Sequence, residues 1–178
     1  MSDRAADFDF LSGVKIVDFT QFEAGPSCTE ALAWFGAEVV KVENPGSGDP
    51  GRRLRKGQPD DDPYYFHMFN ANKKSITVNL KDPRGLALVK DLLAKADICV
   101  ENMAPGTIER LGLGYDALRA QNPGLIYCSI SGYGQDGPSR DEAAMDLVVQ
   151  ASSGLLSITG TESGESTDRK STRLNSSH

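Results

Sequence analysis

The residues best able to do chemistry sit where strands end. Gln21, Phe22, Glu23 and Ala24 follow a short apolar run, Val14 to Asp18, and precede Gly25-Pro26 and a helical pattern. A turn of this kind points its residues, with the helix's first N–H groups, past the carboxyl end of the strand. The chemistry on offer is anion binding, although the same residues also suit a plain βα turn. A second candidate is the basic cluster Arg52, Arg53, Arg55 and Lys56, in a Gly- and Pro-rich loop from Asn44 to Pro63. Its cations can pair with ligand phosphates, or with Asp60, Asp61 and Asp62 close by as an ordinary solvated loop.

Other constellations fall away. Gly132-Tyr133-Gly134-Gln135-Asp136-Gly137 has the spacing of a dinucleotide fingerprint and follows a strand pattern. Pro138-Ser139-Arg140-Asp141 then continues it as loop, whereas the fingerprint requires a helix there. His67 stands among aromatics and reads as packed or exposed, not catalytic. No Ser/His/Asp triad or Cys/His pair can be assembled. Cys28, Cys99 and Cys128 lie scattered in apolar contexts without metal-ligand spacing, which predicts buried free thiols and no metal.

The elements that must position these residues alternate. Val14 to Asp18 is rich in β-branched residues and predicts a strand. A helix is expected over Ser27 to Phe35, with Pro26 at its first position and Gly36 just past its end. Val39 to Glu43 predicts a second strand, and so a right-handed βαβ unit. Tyr64 to Asn72 is aromatic and ambiguous. Ser75 to Leu80 alternates, placing Ile76, Val78 and Leu80 on one face of a strand. Asp82-Pro83 then opens a helix to about Ala96, with Leu86, Val89 and Leu93 at helical spacing. A strand at Ile98 to Glu101, a loop at Asn102 to Gly106, helices at Thr107 to Leu111 and Tyr115 to Gln121, and a strand at Leu125 to Ser131 complete the pattern. Repeated βα alternation predicts an α/β, Rossmann-like open sheet, mainly parallel, with helices on both faces.

At 178 residues the chain suits one domain. Its net charge of −6, with no basic stripe interleaved with aromatics, argues against nucleic acid. Nothing resembles an apolar signal core or a membrane span, so a cytoplasmic location without membrane attachment is expected. Residues 1–10 are polar and expected to be disordered.

Several longer stretches resemble one family. FTQFEAGPSCTEALAWFGAEVVKVENPGSGD (Phe19 to Asp49), YYFHMFNANKKSITVNLK (Tyr64 to Lys81), the run from Ala96 to Pro138, and AMDLVVQASSGLLSITG (Ala144 to Gly160) occur in the order found in class III CoA-transferases. The variant at Phe66, Met68-Phe69-Asn70 and Asn72-Lys73 looks most like the formyl-CoA transferase branch. The resemblance covers about Leu11 to Glu165. It implies an enzyme that moves coenzyme A between an acyl-CoA and a small carboxylic acid such as oxalate through an aspartyl intermediate, with CoA as substrate, no metal, and an interlocked homodimer. α-Methylacyl-CoA racemases are relatives, so acid–base chemistry at an α-carbon is the alternative; a non-enzymatic Rossmann-type nucleotide-binding module is a third.

The resemblance also implies site residues. The first-loop pair falls on Glu23 and Ala24, with Glu23 departing from the glutamine of the formyl-CoA branch. A strand-end pair falls on Val78 and Lys81, the next loop on Asn102, Met103 and Ala104, and a basic contact on Arg110. A family lysine falls on Ala143, where that contact is lost. Lys81 and Arg110 suit a ligand bearing several phosphate charges. Asp146 is expected to orient a helix, contact CoA, or serve as a plain first-turn acid. The family's nucleophilic aspartate follows a glycine beyond the match at Gly160, so no catalytic residue is expected in this chain. Residues 11–167 are read as the N-terminal part of the family's large domain. The stretch 168–178, DRKSTRLNSSH, back-translates into a common sequencing-library adapter and is expected to be non-native. The chain is thus expected to be a fragment without transferase activity of its own.

Overall fold

The computed structural model of the chain describes residues 9–54 and 62–159. Two units are distinguished, Met1–Ile130 and Ser131–His178. In the first, β1 (Lys15–Asp18), β2 (Glu38–Glu43), β3 (Lys74–Thr77), β4 (Ile98–Glu101) and β5 (Ile126–Ser129) form one sheet in the order β3-β2-β1-β4-β5. Every pairing is parallel, where the sequence predicted a mainly parallel sheet.

Alternation along the strands sends side chains to two helical layers. Val17, Val42 and Cys99 join Val89 and Leu93 of α3 (Pro83–Leu93), Ile108 of α4 (Thr107–Arg110) and Leu118 of α5 (Tyr115–Arg119). Ile16, Val39 and Val100 join Ala33 of α1 (Ala24–Trp34) on the other side. Helices therefore cover both faces, as the alternating βα pattern required. Asp82 caps α3 through the Arg84 N–H at 2.9 Å, with Pro83 in the first turn.

Some local readings are corrected or resolved. The first helix starts at Ala24, so Pro26 lies inside its first turn and not at its first position. This is tolerated because first-turn N–H groups have no intrahelical acceptor in any case. Tyr64–Asn70, ambiguous by period, is helix α2. Strand β3 ends at Thr77, short of Leu80, although Val78 still donates to the Glu43 carbonyl at 2.9 Å. The expectation of buried thiols fails at Cys28, which is exposed, while Cys99 is fully buried and Cys128 partly so. Burial pushes both the Cys99 and Cys128 thiols upward in pKa.

In the second unit, residues 131–145 contain no helix, so the glycine-rich run there is loop, as its Pro138 continuation predicted. Ser131 Oγ donates to the Gly134 carbonyl at 2.8 Å. Helix α6 (Asp146–Ser152) follows, with Asp146 in its first turn accepting from Gln150 at 2.9 Å, and then α7 (Leu155–Ile158). Among the described residues no helix is long and apolar enough to cross a membrane, and no group of His, Cys, Asp and Glu could hold a metal ion.

Candidate functional site

The chain runs from β1 outward to β2 and β3, then returns past β1 to β4 and β5. The direction reverses between β1 and β4, and a parallel sheet opens a ligand crevice at the carboxyl ends of such a strand pair. Here the two strand-end loops are joined. The Gln21 N–H donates to Asn102 Oδ1 at 2.8 Å, and Asn102 Nδ2 donates to the Gln21 carbonyl at 2.8 Å. One amide side chain thus satisfies both backbone groups of one residue and fixes the two loops in register. Beneath it, Glu101 is buried and accepts from the Met103 N–H at 2.8 Å. Burial raises its pKa, against the opposing bonds from Ser129 and Met103.

A buried ionic cluster supports the same rim. Asp18 and Lys41 are register partners on β1 and β2, on the face that α1 covers. Asp18 accepts from Thr20 N–H at 2.7 Å and Thr29 Oγ1 at 2.6 Å, and pairs with Lys73 at 3.2 Å. Burial lowers the Lys73 pKa, an effect that Asp18 opposes and Lys41 reinforces. Lys41 pairs with Asp49 at 2.8 Å. Glu43 accepts two bonds from Arg52, at 2.8 and 2.7 Å, one from Ser75 Oγ at 2.5 Å, and one from the Asp49 N–H at 2.8 Å. Burial opposes ionisation of Glu43, but these donors outweigh it and hold its pKa at about 2. Arg52 also pairs with Asp62 and stacks 3.7 Å from the centre of the Phe66 ring.

This settles part of the basic cluster. The Arg52 guanidinium is committed to Glu43 and Asp62, and Arg53 donates to the Ser47 carbonyl at 2.8 Å. The acid-balanced reading of the loop therefore holds for Arg52. Arg55, Lys56, Asp60 and Asp61 lie outside the described residues. The rest of the ionic cluster was missed. Its readable trace was Lys41, a charge inside the otherwise apolar Val39-Val40-Lys41-Val42, where burial demands a partner.

Most of the residues singled out by resemblance follow the carboxyl ends of β1, β3 and β4, while Arg110 closes α4. Glu23 is the N-cap residue of α1, and Tyr65 Oη donates to it at 3.3 Å. Ala24 opens that helix and is exposed. Asn102 forms the clasp, Met103 packs partly on the core, and Ala104 is exposed. Val78 is buried in the core, so its backbone is the part left to meet a ligand. Lys81 is exposed beyond β3, its N–H held by Asn79 Oδ1 at 3.0 Å. Arg110 is exposed at the end of α4 and donates to Thr107 Oγ1 at 2.9 Å. His67 is exposed on α2. From β3 to β4 is three strand spacings, about 14 Å, so a ligand touching both ends of this set must be long. Beside β3, an open groove of about 320 Å³ is lined by Val78, Asn79, Asp82, Arg84, Gly85 and Leu88, among others. Gly85 has no room for a side chain there: a Cβ would stand 2.4 Å from the Asn79 carbonyl oxygen.

The chain matches the model of CoA-transferase family III over residues 11–173. It is 48% identical over 155 residues to a succinyl-CoA:glutarate CoA-transferase of Mus musculus, a match covering 87% of this chain and 36% of that one. To a formyl-CoA:oxalate CoA-transferase of Streptomyces avermitilis it is 45% identical over 154 residues, covering 86% and 37%. Among solved structures, a CAIB/BAIF family protein from Brucella suis superimposes with a TM-score of 0.83 at 37% identity, covering 89% of this chain and 43% of that one. The chain therefore spans little more than a third of the length of these curated relatives. Identities of 48% and 45% do not separate the two acid specificities, whereas the sequence motifs alone pointed to the formyl-CoA branch.

Proposed function

The chain belongs to CoA-transferase family III, and from that premise we propose that its carboxyl rim is the coenzyme A-binding part of an enzyme that moves CoA between an acyl-CoA and a small dicarboxylic acid. The observation that carries the proposal is the clasp between Gln21 and Asn102, which fixes two strand-end loops side by side at the point where the sheet reverses direction. Ala24 N–H, at the start of α1, can donate to a phosphate oxygen, because first-turn N–H groups have no intrahelical partner. Lys81 and Arg110 are exposed cations suited to further phosphates of the same long ligand. Asn102, Met103 and Ala104 would border the pantetheine arm, and Val78 would contribute backbone only.

Group transfer in this reading runs through an aspartate outside the described residues. Its carboxylate attacks the acyl thioester, the C–S bond breaks, and CoA leaves as thiolate, giving a mixed anhydride. The thiolate then attacks the aspartyl carbonyl and releases the acyl group as its carboxylate. The acceptor carboxylate then attacks the aspartyl thioester and expels CoA thiolate, giving a second mixed anhydride, and the thiolate attacks the acceptor's carbonyl to form the new acyl-CoA and release the aspartate carboxylate. Backbone donors would hold each oxyanion. The finished enzyme would be the interlocked homodimer that the resemblance implies. Transferase is favoured over racemase because the relatives described above are named as transferases. Intact-mass analysis of the full-length gene product mixed with succinyl-CoA or formyl-CoA tests this. A covalent CoA adduct, discharged by glutarate or oxalate, supports the proposal. Proton exchange at the α-carbon without any adduct would replace it with the racemase reading.

A further inference from the structure

We propose that the buried pairs Asp18–Lys73 and Lys41–Asp49 are positioning groups that hold the turn 20–26 in the shape that receives its ligand, without touching the ligand themselves. The proposal rests on the reading of that turn as part of the CoA site. All four side chains are at most 1% exposed. Buried ion pairs of this kind seldom stabilise a fold more than apolar residues of the same size would. Their distinctive feature here is where the remaining bonds go. Asp18 takes the Thr20 N–H and hydroxyl, Lys41 donates to the Thr20 carbonyl at 2.7 Å, and Lys73 donates to the Pro26 carbonyl at 2.8 Å. Asp49 accepts from the Phe22 N–H at 3.2 Å and from the Gly51 N–H at 2.7 Å. Each of the four charges therefore ends on the same short turn.

The turn needs holding. Phe22 has φ 64°, a left-handed backbone disfavoured for a residue with a side chain. Gly25 packs so closely on Thr20 that a Cβ would lie 2.3 Å from the threonine Cβ. Such strain persists only where the surroundings over-determine it. The strained turn nevertheless presents Gln21, Phe22 and Ala24 to the outside. A buried charge network beneath an exposed, strained turn is an arrangement for presenting that turn.

Amide hydrogen exchange and CoA calorimetry on the full-length gene product test this with Asp49→Ala and Lys73→Met. The expected result is exchange of the amides between residues 20 and 25 at least about tenfold faster, the factor set by losing one charge-assisted bond, with β4 amides unchanged. CoA affinity should fall by a similar factor. Adding Phe22→Asn to Asp49→Ala should recover most of the affinity, because Asn enters the left-handed region more readily than Phe. Where Asp49→Ala does not fold, Lys41→Met/Asp49→Leu leaves no buried charge unpaired and takes its place. Unchanged turn exchange in folded variants overturns the proposal. So does a melting-temperature loss spread over the whole sheet with CoA affinity intact, which is all a merely structural role predicts. If the unmodified protein does not bind CoA, the ligand reading fails, and the exchange measurement alone decides whether these pairs hold the turn.

Discussion

Replacing Glu43 by Gln should remove one calculable part of this fold's acid sensitivity. Glu43 is 5% exposed and has a folded pKa of about 2 against an ordinary 4.5. Burial alone would have raised it, so the Arg52, Ser75 and Asp49 donors do more than offset that penalty. Each tenfold change in acidity corresponds to about 1.4 kcal/mol, so the charged carboxylate stabilises the folded chain by about 3 kcal/mol. The sign follows from the order of protonation. As pH falls, the unfolded chain takes up its proton near 4.5 while the folded one waits until about 2. The stabilisation is therefore complete above the unfolded value and lost between the two. Urea unfolding at a series of pH values should show the unmodified protein ahead of Glu43→Gln by about 3 kcal/mol at neutral pH, with the gap closing below pH 4.5. Groups common to both proteins cancel in the difference. A gap that stays constant from pH 7 to below pH 3 would mean that the Glu43 charge does not stabilise the fold.

Three further outcomes follow from the geometry. Asn102→Ala removes both bonds of the clasp and should weaken CoA binding and stability together by about 1–3 kcal/mol, measured by calorimetry and thermal melting. Gly25→Ala forces a Cβ onto Thr20 and should lower stability by about 1–3 kcal/mol, whereas a change near zero would mean that the turn gives way easily. Glu101→Gln should raise stability at neutral pH, because burial disfavours the Glu101 carboxylate. That advantage should shrink as pH falls and Glu101 itself becomes neutral, which the same urea series would reveal.

Much of the sheet was legible because its signals are periodic. The apolar strand cores, the Asp82-Pro83 helix start and the Gly132 loop all express rules that act within a few residues. Strand order was not local. The sequence allowed βα alternation, but the reversal between β1 and β4 depends on which side of β1 each helix crosses. The Gln21–Asn102 clasp joins residues 81 apart, and spacing alone could not pair them. The ionic cluster was hidden for a related reason. Lys41 shows only that some partner is needed, and Asp18 and Lys73 look like ordinary surface charges, until the register puts Asp18 opposite Lys41 and the turn after α2 brings Lys73 to both Asp18 and Pro26. The start of α1 was misread because Pro26 is equally at home anywhere in a first turn.

The proposed function stands on coenzyme A binding through the cations beyond β3 and on α4. Isothermal titration of CoA into the full-length gene product, at one fixed salt concentration, tests it most directly. Binding by the unmodified protein is expected, with a loss of about 1–3 kcal/mol in each of Lys81→Ala and Arg110→Ala, the scale of one charge-assisted bond. Both variants binding CoA as tightly as the unmodified protein would contradict it.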